Sequence, residues 1–119
     1  MHNFKELKVW QEAMGLAKDV FILTRNFPTE EKYGLVSQMN RCSVSIASNI
    51  AEGAGRGSSK EFNQYLNIAL GSCFELETQL LLANEFNYIN KEQTQLLTEK
   101  ACKVQKMLNG LKKSIYQTS

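Results

Sequence analysis

Histidine and proline are nearly missing from this chain of 119 residues: His2 and Pro28 each occur once. A single histidine, near a terminus expected to fray, leaves no Ser–His–Asp or Cys–His constellation to build. The paired Glu-x-x-His ligands of di-iron bundles are missing too, although Glu75 and Gln79 sit one helical turn apart. One proline and seven glycines are too few for a loop-rich all-β fold. The three cysteines, Cys42, Cys73 and Cys102, are odd in number and widely spaced. That pattern argues against a disulfide framework and against a zinc site, and leaves free thiols, of which Cys102 falls off the core line. Apolar runs such as Leu80–Ala83 are far too short for a membrane span. The opening MHNFKELKVW has no long apolar stretch of the secretory type, so the expected location is the cytoplasm. A net charge of +2 is too mild to declare a nucleic-acid binder by itself. No catalytic residue, metal or cofactor is expected, and the chain is read as a non-enzyme.

What the chain has instead is apolar residues at helical spacing almost throughout. Val9, Ala13, Leu16, Val20, Leu23 and Phe27 share one face, interrupted at Pro28. Thr29 or the nearby acids are expected to start the next helix. Leu35, Met39, Cys42, Ile46 and Ile50 form a second line that ends at Gly53. The third runs from a capping-box pair, Ser58 and Glu61, through Phe62, Leu66, Ala69, Cys73, Leu76, Leu80 and Ala83. A turn at Asn87–Asn90, with Asn90 and Gln93 as a second cap, leads to Leu97, Ala101, Val104, Leu108, Leu111 and Ile115. Four amphipathic segments with short links predict an all-α, antiparallel up-down four-helix bundle, one domain over residues 1–119.

The stretch NIAEGAGRGSSKEF, Asn49–Phe62, has the look of a phosphate loop. It lacks the order GxxxxGK[ST], the third glycine of GxGxxG, and a preceding strand. A helix corner fits better: Gly53 closing one helix in a left-handed cap, Gly55 and Gly57 turning the chain, Ser58 opening the next. Arg56 beside that helix start leaves anion binding open as an addition.

These residues also carry a resemblance. FKELKVWQEA, FPTEEKYGLVSQMNR, SIASNIAEGAGRGSSKEF and YLNIALGSCFELETQLLLA together resemble the family named for reading frames in 23S rRNA intervening sequences. The segment from Lys91 onward resembles it much less. The resemblance implies an up-down bundle that assembles into a homo-oligomeric ring, commonly a pentamer. It also implies kinship with the accessory protein of diversity-generating retroelements, which binds nucleic acid beside a reverse transcriptase. The family name conveys genomic context rather than mechanism.

Three surfaces are candidates for function. Trp10, Met14 and Phe21 on the first helix, and Leu70, Phe74 and Leu81 on the third, form second apolar stripes. They are read as an oligomer interface, with a wide core covered by neighbouring helices as the alternative. Gln38, Arg41, Ser45, Asn49 and Glu52 form a polar line on the second helix. It reads as a groove for a ligand or partner, or as a hydrogen-bonded network that fixes the helix. Charge is uneven: +1 over residues 1–57, −3 over 58–86 and +4 over 87–119. Lys103, Lys106 and Lys113 share one outward arc, with Lys100 and Lys112 flanking the core, and those three with Arg56 are the expected nucleic-acid contacts. The alternative is a solvated lysine face beside Glu92 and Glu99. A ring would repeat a weak patch and raise its apparent affinity by roughly 10²–10⁴. The expected function is thus weak, non-sequence-specific RNA or DNA binding by a self-assembling accessory protein. The alternative is a protein–protein module with no nucleic-acid role. No membrane partner is expected.

Overall fold

A computed structural model of the chain describes residues 3–118. His2, and the fraying expected there, lie outside the described residues. Those residues form four α-helices and no strand: α1 (Lys8–Thr24), α2 (Leu35–Ala54), α3 (Ser59–Glu85) and α4 (Lys91–Thr118). Each helix packs on its neighbour in sequence, α1 closes the set against α4, and the backbones of the diagonal pairs stay apart. Cross-helix pairs give the directions. Asp19 meets Lys100 while the earlier Glu12 meets the later Lys103. Gly53 faces Phe62 and Tyr65 while the earlier Cys42 reaches the later Ser72. Asn40, near the start of α2, donates its Nδ2–H to Thr24 Oγ1 at the end of α1. All three seams are therefore antiparallel, and the bundle runs up-down in a body of 47 × 24 × 20 Å.

The periodic apolar lines are the core. Val9, Ala13, Leu16, Val20 and Leu23 meet Met39, Cys42, Ile46 and Ile50 of α2. All seven predicted positions of α3, from Phe62 to Ala83, are buried, as are Leu97, Ala101, Val104, Leu108 and Ile115 of α4. Leu35 and Leu111 are half-buried at its edge. Each large apolar side chain taken out of water contributes about 1.5–3 kcal/mol, so these lines, more than helix propensity, hold the bundle together.

The ends depart from the sequence reading in instructive ways. Thr29 does not start a helix. Thr29–Glu31 is a single 3-10 turn, and α2 begins at Leu35, whose N–H donates to Glu31 Oε1 at 3.3 Å. The other oxygen of Glu31 accepts from the Tyr88 hydroxyl at 2.7 Å, which ties this loop to the α3–α4 turn and raises the Tyr88 pKa. Gly53 is not a left-handed cap either. It is buried inside α2, and no glycine among the described residues has a positive φ. A Cβ on Gly53 would lie 2.7 Å from Tyr65 Cβ and 3.0 Å from Phe62 Cδ1, so its missing side chain lets α2 and α3 approach. The left-handed residue is Asn87, at φ 62°, after α3. Tyr88 N–H donates to Ala83 O and Asn87 N–H to Asn84 O, the paired bonds of a Schellman end. At the start of α4 the reciprocal cap is complete: Gln93 N–H to Asn90 Oδ1 at 2.7 Å and Asn90 N–H to Gln93 Oε1 at 2.9 Å. At α3 only half forms. Glu61 N–H donates to Ser58 Oγ, while the Ser58 hydroxyl turns to the Glu61 carboxylate.

Candidate assembly surfaces and the lysine face

The second stripes fall into two parts. Trp10 is half-buried, edge-on to Phe4 at 5.2 Å, and Leu70 is half-buried against the core. Met14 and Phe21 of α1 stay 48% and 53% exposed, and Phe74 and Leu81 of α3 stay 51% and 49% exposed. The structure adds Val44 of α2, 56% exposed, which the sequence reading missed. Its signal was available: Val44 lies off the core line of α2, two residues from Cys42 and from Ile46. Met14, Phe21 and Val44 line one groove of about 450 Å³ between α1 and α2, floored by Ala17 and Ala47.

The lysine face is partly neutralised within the chain. Lys103 Nζ donates to Glu12 Oε1 at 2.9 Å, and Lys100 pairs with Asp19. Lys106 and Lys113 are exposed with no carboxylate partner among the described residues. Lys106 and Lys103 border a shallow depression with Glu77, Glu99 and Cys102, so acid sits among the bases.

Arg56 is held at the corner. Its Nη2 donates to Tyr65 Oη at 2.6 Å and to Glu52 Oε2 at 3.3 Å, and its guanidinium stacks 4.8 Å over the Tyr65 ring. The nearby start of α3 is served by Ser58 and Glu61. Arg56 therefore braces α2 against α3.

The polar line of α2 is partly a hydrogen-bonded network, beside an open hollow. Asn49 Nδ2 donates to Ser45 O and Oγ, and Ser45 Oγ meets Ser72 Oγ at 3.0 Å. Glu52 turns to Arg56. Gln38 and Arg41 remain exposed beside Ser45, Ser72 and Glu75 in a hollow of about 230 Å³.

Buried Cys42 donates to Ser72 O, and burial pushes the thiols of Cys42 and Cys73 up to about 12, far from a reactive thiolate. Cys102 is half-exposed. No group of three His, Cys, Asp or Glu among the described residues could hold a metal ion. Gln79 is buried and Glu75 exposed, so this turn-spaced pair does not share a site.

Residues 5–110 match the family model of the 23S rRNA-intervening sequence protein. The chain belongs to that family. In this member of the 23S rRNA-intervening sequence family the match takes in Lys100, Lys103 and Lys106 of α4, while Lys112 and Lys113 lie beyond it. Among solved structures the chain is similar to a crystal structure of a protein of unknown function from the S23 ribosomal protein family of Bacteroides thetaiotaomicron. That likeness has a TM-score of 0.80 and 26% identity, covering 88% of this chain and 98% of the other. No curated protein matches the sequence. No helix among the described residues is long and apolar enough to cross a membrane.

Proposed function

We propose that this member of the 23S rRNA-intervening sequence family is a non-enzymatic module that assembles with copies of itself, in a ring such as a pentamer, and acts as an accessory scaffold. The observation that carries this reading is the pair of half-exposed apolar surfaces: Met14, Phe21 and Val44 between α1 and α2, and Phe74 with Leu81 on α3. A lone four-helix bundle buries one stripe per helix and gains nothing from a second. The non-enzymatic part is supported by the titrating groups. The displaced pKa values belong to two buried thiols and to Tyr88, and each follows from packing or one hydrogen bond. The test is mass by light scattering over a range of concentrations. Association is expected for the natural chain, and a monomer at every concentration would refute the reading.

A second reading is weak, non-sequence-specific RNA or DNA binding by the assembled protein. Lys106 and Lys113, exposed and without a carboxylate partner among the described residues, favour it. It ranks second because Lys103 and Arg56, two of the cations expected to take part, are engaged within the chain, as is Lys100. A salt titration against labelled RNA and DNA tests it. Binding should weaken steeply with salt and drop on charge reversal of Lys106 and Lys113. An oligomer that binds neither nucleic acid at low salt leaves the protein–protein scaffold alone.

A further inference from the structure

The two apolar surfaces lie on opposite sides of the bundle. The first is the α1–α2 groove. The second runs along α3 beside α4, because Glu77 lies in the stripe of Phe74 and Leu81 and accepts from Gln105 Nε2 at 2.9 Å. In a square of helices whose backbones approach only between neighbours, the α1–α2 side and the α3–α4 side face away from each other.

The two surfaces also match in spacing and charge. Met14 and Phe21 are seven residues apart, and so are Phe74 and Leu81. Each step is about 10 Å along a helix. Between Phe74 and Leu81 the polar groups are engaged within the chain: the Thr78 hydroxyl donates back to Phe74 O at 2.9 Å, and Glu77 accepts from Gln105. Four residues beyond Phe21 stands Arg25, its guanidinium 5.0 Å over the Phe21 ring. Four residues beyond Leu81 stands Glu85. Neither Arg25 nor Glu85 has an ion-pair partner among the described residues, in contrast to Asp19 and Glu12 on the other flank of α1.

We propose that the α1–α2 groove of one copy receives the Phe74–Leu81 edge of α3 from a second copy, with Arg25 of the first against Glu85 of the second. This deepens the self-assembly reading and rests on it. Placing Met14 beside Phe74 and Phe21 beside Leu81 brings Arg25 to Glu85 only if the two helices run parallel. The reverse register moves Arg25 beside Leu70. Within one bundle α1 and α3 point the same way, and a rotation about an axis along the bundle preserves helix direction. The charge register and a cyclic arrangement therefore require the same parallel sense. Because the contact joins two different surfaces, it is heterologous, and each copy keeps a free surface for the next until the ring closes.

The experiment is a cysteine pair placed across the contact, Met14→Cys with Phe74→Cys in one chain, with Cys102→Ser to remove the half-exposed native thiol. Met14 and Phe74 are half in water, so the substitutions leave the core intact, and circular dichroism checks the helices. Mild oxidation should give a ladder of covalent dimers, trimers and larger rungs, while the chain with Met14→Cys alone gives none. Dimers from Met14→Cys alone mean that α1–α2 grooves face each other, and they overturn the proposal. Light scattering on the natural chain separates the two levels. An oligomer without a ladder removes this pairing and leaves self-assembly standing, whereas a monomer removes both. A charge swap gives a second, milder readout. Arg25→Glu should weaken association about tenfold, and adding Glu85→Arg should restore most of it. No recovery in the double variant counts against the Arg25–Glu85 register.

Discussion

Between α2 and α3 the helices meet through a glycine and small polar side chains, whereas between α1 and α4 they are bridged by long charged ones. At the first seam Gly53 lies against Tyr65 and Phe62, Cys42 reaches Ser72 O, and Ser45 meets Ser72. At the second, Lys100 and Lys103 reach across to Asp19 and Glu12, and an open cleft of about 240 Å³ remains beside Leu23 and Leu97. Small residues let backbones approach and make the contact a matter of shape. Long ionic residues span a wider gap in solvent and add little energy. The bundle is thus rigid on its α2–α3 side and forgiving on its α1–α4 side, and substitutions at the two seams should differ accordingly.

The largest effect belongs to Gly53. Gly53→Val inserts atoms where even a Cβ sits 2.7 Å from Tyr65 Cβ, which is held by the α3 backbone and cannot swing away. The expected loss is about 3 kcal/mol, read as a lower urea midpoint at fixed protein concentration. An unchanged midpoint would mean that the α2–α3 crossing is looser than described.

Next comes alkaline pH, which acts on the same tight seam. Burial raises the thiols of Cys42 and Cys73 from 9.0 to about 12, so the folded chain holds these protons more firmly than the unfolded one. Their contribution is fully present below pH 9.0 and falls as pH rises from there toward about 12. The slope is at most about 1.4 kcal/mol per pH unit for each thiol. Replacing both with alanine should flatten the fall in urea stability between pH 8 and pH 10.5, roughly the window in which the unfolded thiols ionise. Parallel curves for the natural and substituted chains would contradict this.

The smallest effects lie at the ionic seam. Asp19→Asn or Glu12→Gln should cost less than about 1 kcal/mol each, because both pairs are substantially exposed to water. Half a molar salt should shrink even that difference. A loss several times larger at either position would erase the contrast between the seams.

Much of this fold was legible in the sequence because a helix period repeats locally. Every predicted core position from Phe62 to Ala83 is buried, the Asn90–Gln93 cap forms in full, and the Ser58–Glu61 cap forms by half. What stayed hidden depends on which helix lies opposite. A glycine after an apolar line can end a helix or admit a neighbour, and only Tyr65 and Phe62 across the crossing decide for Gly53. Lys103 and Glu12 are 91 positions apart, and Lys100 and Asp19 are 81 apart, so no periodicity could pair them. The same holds for the Tyr88–Glu31 bond that anchors the loop before α2. The candidate surfaces were half legible. Exposure of Met14, Phe21, Phe74 and Leu81 followed from helical angle, while the inward lean of Trp10 and Leu70 needed Phe4 and the finished core.

The most direct experiment compares the solution mass of the natural chain with that of Phe21→Glu and Leu81→Glu variants, by light scattering at several concentrations. If the two apolar surfaces join copies of this protein, the natural chain has a mass several times the 13.5 kDa of one chain, and each variant falls toward 13.5 kDa with its helix content intact. A natural chain that stays at 13.5 kDa, or an oligomer indifferent to both substitutions, would show that these surfaces do not hold copies together.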